Sequence, residues 1–141
     1  MGGTLRQRGH RQVDHTADLA LELWAPDEPS LLVEGARAVI AEMTGGGPVR
    51  ANATRPVALQ ALDAEDRLVQ WLNEVIWMAT RDGFLTADAT LTLTGGHLRG
   101  SVHGEADAAS RIQTELKSAT YHGLRIRKRN DLYHATVVID V

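Results

Sequence analysis

The chain has 141 residues, of which 43% are hydrophobic, 4% aromatic and 23% charged; it contains no cysteine and carries a formal net charge of −3. This length and composition fit one domain with an aliphatic core, and they exclude disulfides, thiolate zinc sites and cysteine nucleophiles. The negative balance argues against broad, nonspecific nucleic-acid binding, which needs a surplus of Lys and Arg to displace counterions.

The first residues, Met1 to about Arg11, are basic and polar with no apolar run behind them. They read as a flexible extension, residues 1–11, and as neither a signal peptide nor a membrane anchor. The expected location is the cytoplasm, and residues 12–141 form the expected domain. In Asp18-Leu-Ala-Leu-Glu-Leu-Trp24, Leu19, Leu21 and Leu23 alternate with other residues, the period of a half-buried strand, before Pro26 and Pro29. Ser30 is the expected N-cap of a helix reaching Thr44, whose apolar face is Leu32, Ala36, Val39, Ile40 and Met43. Gly45-Gly46-Gly47-Pro48 ends it. A short aliphatic strand follows, from Arg55 to Ala61.

A second helix starts from Asp63, with Glu65 and Asp66 in its first turn, where carboxylates suit the helix dipole. Leu68, Leu72, Val75, Ile76 and Ala79 make its buried stripe, Trp71 and Trp77 flank that stripe as packing residues, and Gly83 stops it. Ala89–Thr94 and His97–Gly104 alternate around Gly95-Gly96, a hairpin signal. On the return strand Leu98, Gly100 and Val102 face one way and Arg99, Ser101 and His103 the other. Thr114–Arg127 reads as strand-like, Asn130-Asp131 as a tight turn, and Asp131–Asp140 as a last strand. The order predicts an α+β fold: a single-domain, two-layer sandwich of a mostly antiparallel sheet with two helices on one face. Asp18 starts the first strand and Asp140 ends the last, so antiparallel pairing of the two would bring both carboxylates to one sheet edge.

Chemistry-bearing residues fall in three clusters. Asp14-His15-Thr16-Ala17-Asp18 gathers two acids, an imidazole and a hydroxyl within five residues. Asp and Thr there suit a plain turn; alternatively the cluster is an oxygen-rich site for a hard cation, because close carboxylates repel without a cation or proton between them. Asp140 closes an apolar Val-Val-Ile run beside the Val141 carbonyl or terminal carboxylate, and with Asp18 offers oxygen ligands for Ca²⁺, or for Mg²⁺ or Mn²⁺ with added waters. The third cluster is Thr120-Tyr121-His122, where the histidine serves either as a structural hydrogen-bonder or as a functional group, with Lys117 and Glu115 a surface pair nearby. Arg125, Arg127, Lys128 and Arg129 form either a solvated strand end or a patch for RNA or an acidic partner. His103 and His134 read as solvent-facing. There is no G-x-x-x-x-G-K-S/T loop, no G-x-G-x-x-G after a strand and no G-x-S-x-G elbow. No nucleophile, base and orienter assemble from the sequence, which favours an accessory role over an enzyme.

Four of these segments together resemble the archease family. Asp14-His15-Thr16-Ala17-Asp18 resembles its signature, Trp71-Leu-Asn-Glu-Val-Ile76 its central helix, Glu115-Leu-Lys-Ser-Ala-Thr-Tyr-His122 its most recognisable strand, and Val137-Val-Ile-Asp-Val141 its C-terminal end. They occur in the family's order across about residues 12–141. The resemblance implies a protein cofactor of the GTP-dependent tRNA-splicing RNA ligase, which joins a 3′-phosphate or cyclic phosphate end to a 5′-hydroxyl end. It implies that the chain promotes guanylylation of that ligase and its multiple turnover, touching RNA only indirectly or weakly and no membrane. It further implies a divalent metal, as calcium, on Asp18, Asp140 and Val141, with Asp14, His15, Lys117, Tyr121 and His122 in support or at the partner. Where many members carry an Asp after Tyr-His, this chain has Gly123. The alternative roles are a stand-alone metal-dependent phosphoester hydrolase and an RNA-binding chaperone.

Overall fold

The computed structural model describes residues 18–141. Its first strand, β1 (Asp18–Ala25), turns Leu21, Leu23 and Ala25 into the core and leaves Asp18, Ala20, Glu22 and Trp24 outside, as the period of two requires. Helix α1 (Glu28–Thr44) follows, and its N-cap is Asp27, whose carboxylate accepts the Ser30 N–H at 2.8 Å. The cap is thus three residues earlier than the Ser30 expected from sequence. Pro29 lies inside the first turn, where a missing N–H costs nothing and its fixed φ suits the helix. The apolar face is as expected: Leu32, Ala36, Val39, Ile40 and Met43 are buried. Gly45 ends the helix at φ 75°, in the left-handed region that favours glycine.

Strand β2 (Ala53–Gln60) leads to α2 (Ala64–Asp82), which is capped by Asp63 and stopped by Gly83. Leu68, Leu72, Val75, Ile76 and Ala79 form the expected buried stripe. The two tryptophans separate. Trp71 is completely buried and donates its indole N–H to the Leu32 carbonyl at 2.6 Å, tying α2 to α1. Trp77 is 45% exposed, with the Arg81 guanidinium 4.8 Å from its ring. It is a surface residue and not, as expected from sequence, a packing partner of the stripe. They lie six residues apart on α2, well over one turn, so they take different faces, and only the Trp71 side faces α1.

Strands β3 (Leu85–Thr94) and β4 (His97–Glu105) form the hairpin around Gly95-Gly96. At Gly100 the strands approach so closely that a Cβ would collide with the Thr90 carbonyl oxygen. After a short 3₁₀ turn at Ala109–Arg111 come β5 (Ser118–Ala119), β6 (Arg127–Arg129) and β7 (Leu132–Asp140). Asn130 and Asp131 make the β6–β7 turn with φ 55° and 65°. The expected strand over Thr114–Arg127 is mostly irregular; only Ser118–Ala119 and Arg127 pair with β7.

Every strand pairing is antiparallel, and the strands divide into two sheets, β2-β4-β3 and β1-β7-β5, with β6 also on β7. Helices α1 and α2 pack on each other and on strands of both sheets, enclosing one core. The class is α+β, with the sheet split in two. No described helix is long and apolar enough to cross a membrane. Trp71→Phe removes a buried hydrogen bond and indole volume, and is expected to cost about 1–3 kcal/mol in denaturant unfolding. Trp77→Phe is expected to stay within about 0.5 kcal/mol.

Candidate functional site

The first and last described strands lie side by side. In the β1–β7 register Asp18 stands opposite Asp140, and on the other side of β7 Ser118 of β5 also stands opposite Asp140. All three alternate with buried neighbours: Leu21 along β1, Ile139 on β7 and Ala119 on β5. They therefore share the outer face, at the end of the sheet. Directly opposed residues have Cβ atoms about 5 Å apart, a spacing at which like charges destabilise the pair unless a cation lies between them. No ion pair involves either acid among the described residues. The Lys117 backbone N–H donates to the Asp140 carbonyl at 2.8 Å, which fixes the β7 end against the segment before β5. Val141 follows, half-buried against the core.

Two opposed carboxylates, with the Val141 main-chain oxygen next in the chain, are hard oxygen donors of the kind calcium and magnesium prefer. Among the described residues no group of three or more His, Cys, Asp or Glu forms a ready-made metal cluster. Asp14 and His15 lie outside the described residues. These oxygen donors suit a hard divalent ion that takes part of its shell from main-chain oxygen or water.

Helix α2 builds the adjoining strap, residues 112–126. Asn73 reads both backbone groups of Ala119: its Oδ1 accepts the N–H at 2.7 Å and its Nδ2 donates to the carbonyl at 3.3 Å. Glu65 accepts the Ile126 N–H at 2.9 Å, and Asp66 accepts the Tyr121 hydroxyl at 2.6 Å. With its backbone groups met partly by α2 side chains and partly by the Met43, Val138 and Asp140 carbonyls, and with a Gly123 turn at φ 61°, the strap does not need a continuous strand ladder. This is why Tyr121 and His122 do not alternate across a sheet as expected. Tyr121 is 57% exposed beside α2, and His122 is exposed in the turn. Glu115 and Lys117 are both exposed and make no ion pair, so the expected surface pair does not form. The Tyr121 hydroxyl and then the Leu62 N–H hold the Asp66 carboxyl below its usual range, while that same bond, with some burial and the acids Asp66 and Asp63, pushes the Tyr121 phenol up. Sequence reasoning missed Ser118, Asp66 and Asn73. The last two were signalled by their spacing of seven, which puts two polar residues on one face of α2.

Residues 10–141 match the family model described as "Archease protein family (MTH1598/TM1083)". The chain belongs to the archease family. Among its relatives, the "Protein archease" of Methanopyrus kandleri is 29% identical over 136 residues, covering 92% of this chain and 97% of the relative. That of Archaeoglobus fulgidus is 27% identical, covering 94% and 98%. The solution structure of Methanobacterium thermoautotrophicum protein 1598 matches the fold with a TM-score of 0.74 at 24% identity, over 92% of this chain and 96% of that one. A Thermotoga maritima crystal structure, described as an archease and possible chaperone, matches with a TM-score of 0.63 at 23% identity, over 94% and 98%.

In this archease the Gly123 position leaves open space where a Cβ would stand, and its left-handed backbone is one that Asp tolerates. The glycine therefore removes a side chain without forcing a different turn. Asn73→Ala, which strands two buried backbone groups, is expected to cost about 2 kcal/mol in denaturant unfolding. Tyr121→Phe, at an exposed site, is expected to cost no more than about 1 kcal/mol at neutral pH. Because the Asp66 value is lowered in the folded state, the bond's contribution is present above 3.8 and fades as pH falls through that lowered value. Because the Tyr121 value is raised, the contribution is present below 10.0 and fades as pH rises through the raised value. The stability gap between the native protein and Tyr121→Phe should close at both extremes of a pH series.

Proposed function

We propose that this archease is an accessory protein of a GTP-dependent RNA ligase that joins a 3′-phosphate or cyclic phosphate end to a 5′-hydroxyl end. Its task is to promote guanylylation of the ligase, and so multiple turnover. The observation that carries this reading is the Asp18–Asp140 register in a chain matched along nearly its whole length by the family model. Asp18, Asp140 and a Val141 main-chain oxygen are the residues that would hold a divalent cation, calcium first and magnesium or manganese next. When bound, such an ion neutralises charge that builds on a phosphoryl group. The residues' own task is to present that acidic edge rigidly to the partner: β7 is held from one side by β1 and from the other by Lys117 and β5.

The test is RNA ligation by the cognate ligase with this protein substoichiometric, read as joined ends per ligase. Native protein should lift turnover well above one. Asp18→Asn and Asp140→Asn, which keep side-chain size and relieve the like-charge contact, should each lose that stimulation and weaken calcium binding in calorimetry, with thermal unfolding of the ion-free protein no lower than native. Normal stimulation by both variants would sink the site. Turnover of generic phosphoesters with no ligase present would instead favour a stand-alone hydrolase.

A further inference from the structure

The outer face of the β1-β7 sheet carries a second group of residues at the end opposite the acids. In register, Trp24 of β1 stands against His134 of β7, and His134 stands against Arg127 of β6. Trp24 is 57% exposed, among the most exposed large apolar side chains described. Its indole stands outside the core. The run Arg125 to Arg129 sorts itself by strand alternation. Arg127 and Arg129 take the outer face, while Lys128 falls on the other side with its ammonium 5.7 Å from the Tyr133 ring. Arg125 turns back to the Leu124 carbonyl at 2.8 Å. None of these four cations pairs with a carboxylate among the described residues.

We infer that the Trp24–His134–Arg127 rung, extended by Arg129, is a binding surface for single-stranded RNA, with a base stacked on the Trp24 indole and phosphates on the two arginines. An exposed aromatic ring on an open sheet face, beside cations that meet no carboxylate among the described residues, is the combination that single strands use. Stacking supplies sequence-tolerant affinity, and the guanidinium groups meet the backbone. Charge complementarity selects the occupant: an apolar protein partner has no use for two arginines that meet no carboxylate among the described residues, and a duplex hides its base faces. Glu22 lies on the same face one step towards the acids, opposite Thr136, and it opposes an anionic ligand. The surface is independent of the ligase reading, since it acts in the protein alone.

The probe is a labelled single-stranded oligouridylate about 12 nucleotides long, followed by fluorescence anisotropy with the full chain at about 50 mM salt. Trp24→Ala is expected to weaken binding about tenfold, the loss of one stacked base. Arg127→Gln should lower the slope of log affinity against log salt by about 0.7. Glu22→Gln should tighten binding, and Trp77→Ala, which removes the exposed tryptophan of α2, should leave it unchanged. Circular dichroism checks that each variant folds; all four positions are at the surface. The inference is overturned if the native protein does not bind the oligomer, if Trp24→Ala and Arg127→Gln bind it as well as native, or if duplex RNA binds equally. It is also overturned if Trp24→Ala leaves RNA affinity intact but abolishes stimulation of the ligase, which would make this face a protein-docking surface.

Discussion

Eight consecutive residue pairs zip the first described strand onto the last, from Asp18 against Asp140 to Ala25 against Tyr133. The rest of the site hangs on that register. A strand's side chains alternate, so a slip of one residue would turn Asp18 and Glu22 into the core and push Leu21 and Leu23 into water. The buried leucines of β1, with Val137 and Ile139 of β7, make the slip costly on both strands at once. Apolar burial thereby places the carboxylates, and it places them on a sheet end where the cost of desolvating them is small.

Helix α2 serves the core and the strap with different faces. Its leucines and Trp71 close the interior, while Glu65, Asp66 and Asn73 supply hydrogen-bond partners to a chain segment that is irregular yet partly buried. Leu116, Ala119 and Leu124 enter the core from this segment. Their burial takes backbone amides away from water, and those amides need partners. Asn73 meets that need at Ala119, the residue next to Ser118 in the acid rung. Packing in α2 is in this way transmitted to the position of β5 beside Asp140.

The elements best legible in the sequence are those with long, unmixed periods. Leu32 to Met43 on α1, Leu68 to Ala79 on α2 and the Gly95-Gly96 hairpin all lie where their patterns predicted. The opposition of Asp18 and Asp140 was legible because both acids end apolar strands at opposite ends of the chain. The strap reads as a strand in the sequence, yet α2 side chains anchor much of it and only a short stretch around Ser118–Ala119 pairs with β7. The cap of α1 was missed by three residues because Asp27 and Ser30 are both good caps and only the geometry around Pro29 decides between them. The four-residue basic run was visible as composition, yet which of its cations share a face depends on where the β6–β7 turn falls.

The same period of two that sets the acids outside also sets Trp24 and His134 outside, since positions 18, 20, 22 and 24 face one way. Six residues separate the acid rung from the aromatic rung, about 20 Å at the rise of a β-strand. That is more than twice the Debye length of about 8 Å at physiological salt. Phosphates near Arg127 therefore scarcely feel Asp18 and Asp140, and a chain of net charge −3 still offers an anionic strand one attractive end. Glu22 lies about 7 Å along the strand from the aromatic rung, within that Debye length, and about 13 Å from the acid rung, beyond it. One sheet face can then carry opposite charge at its two ends without either cancelling the other.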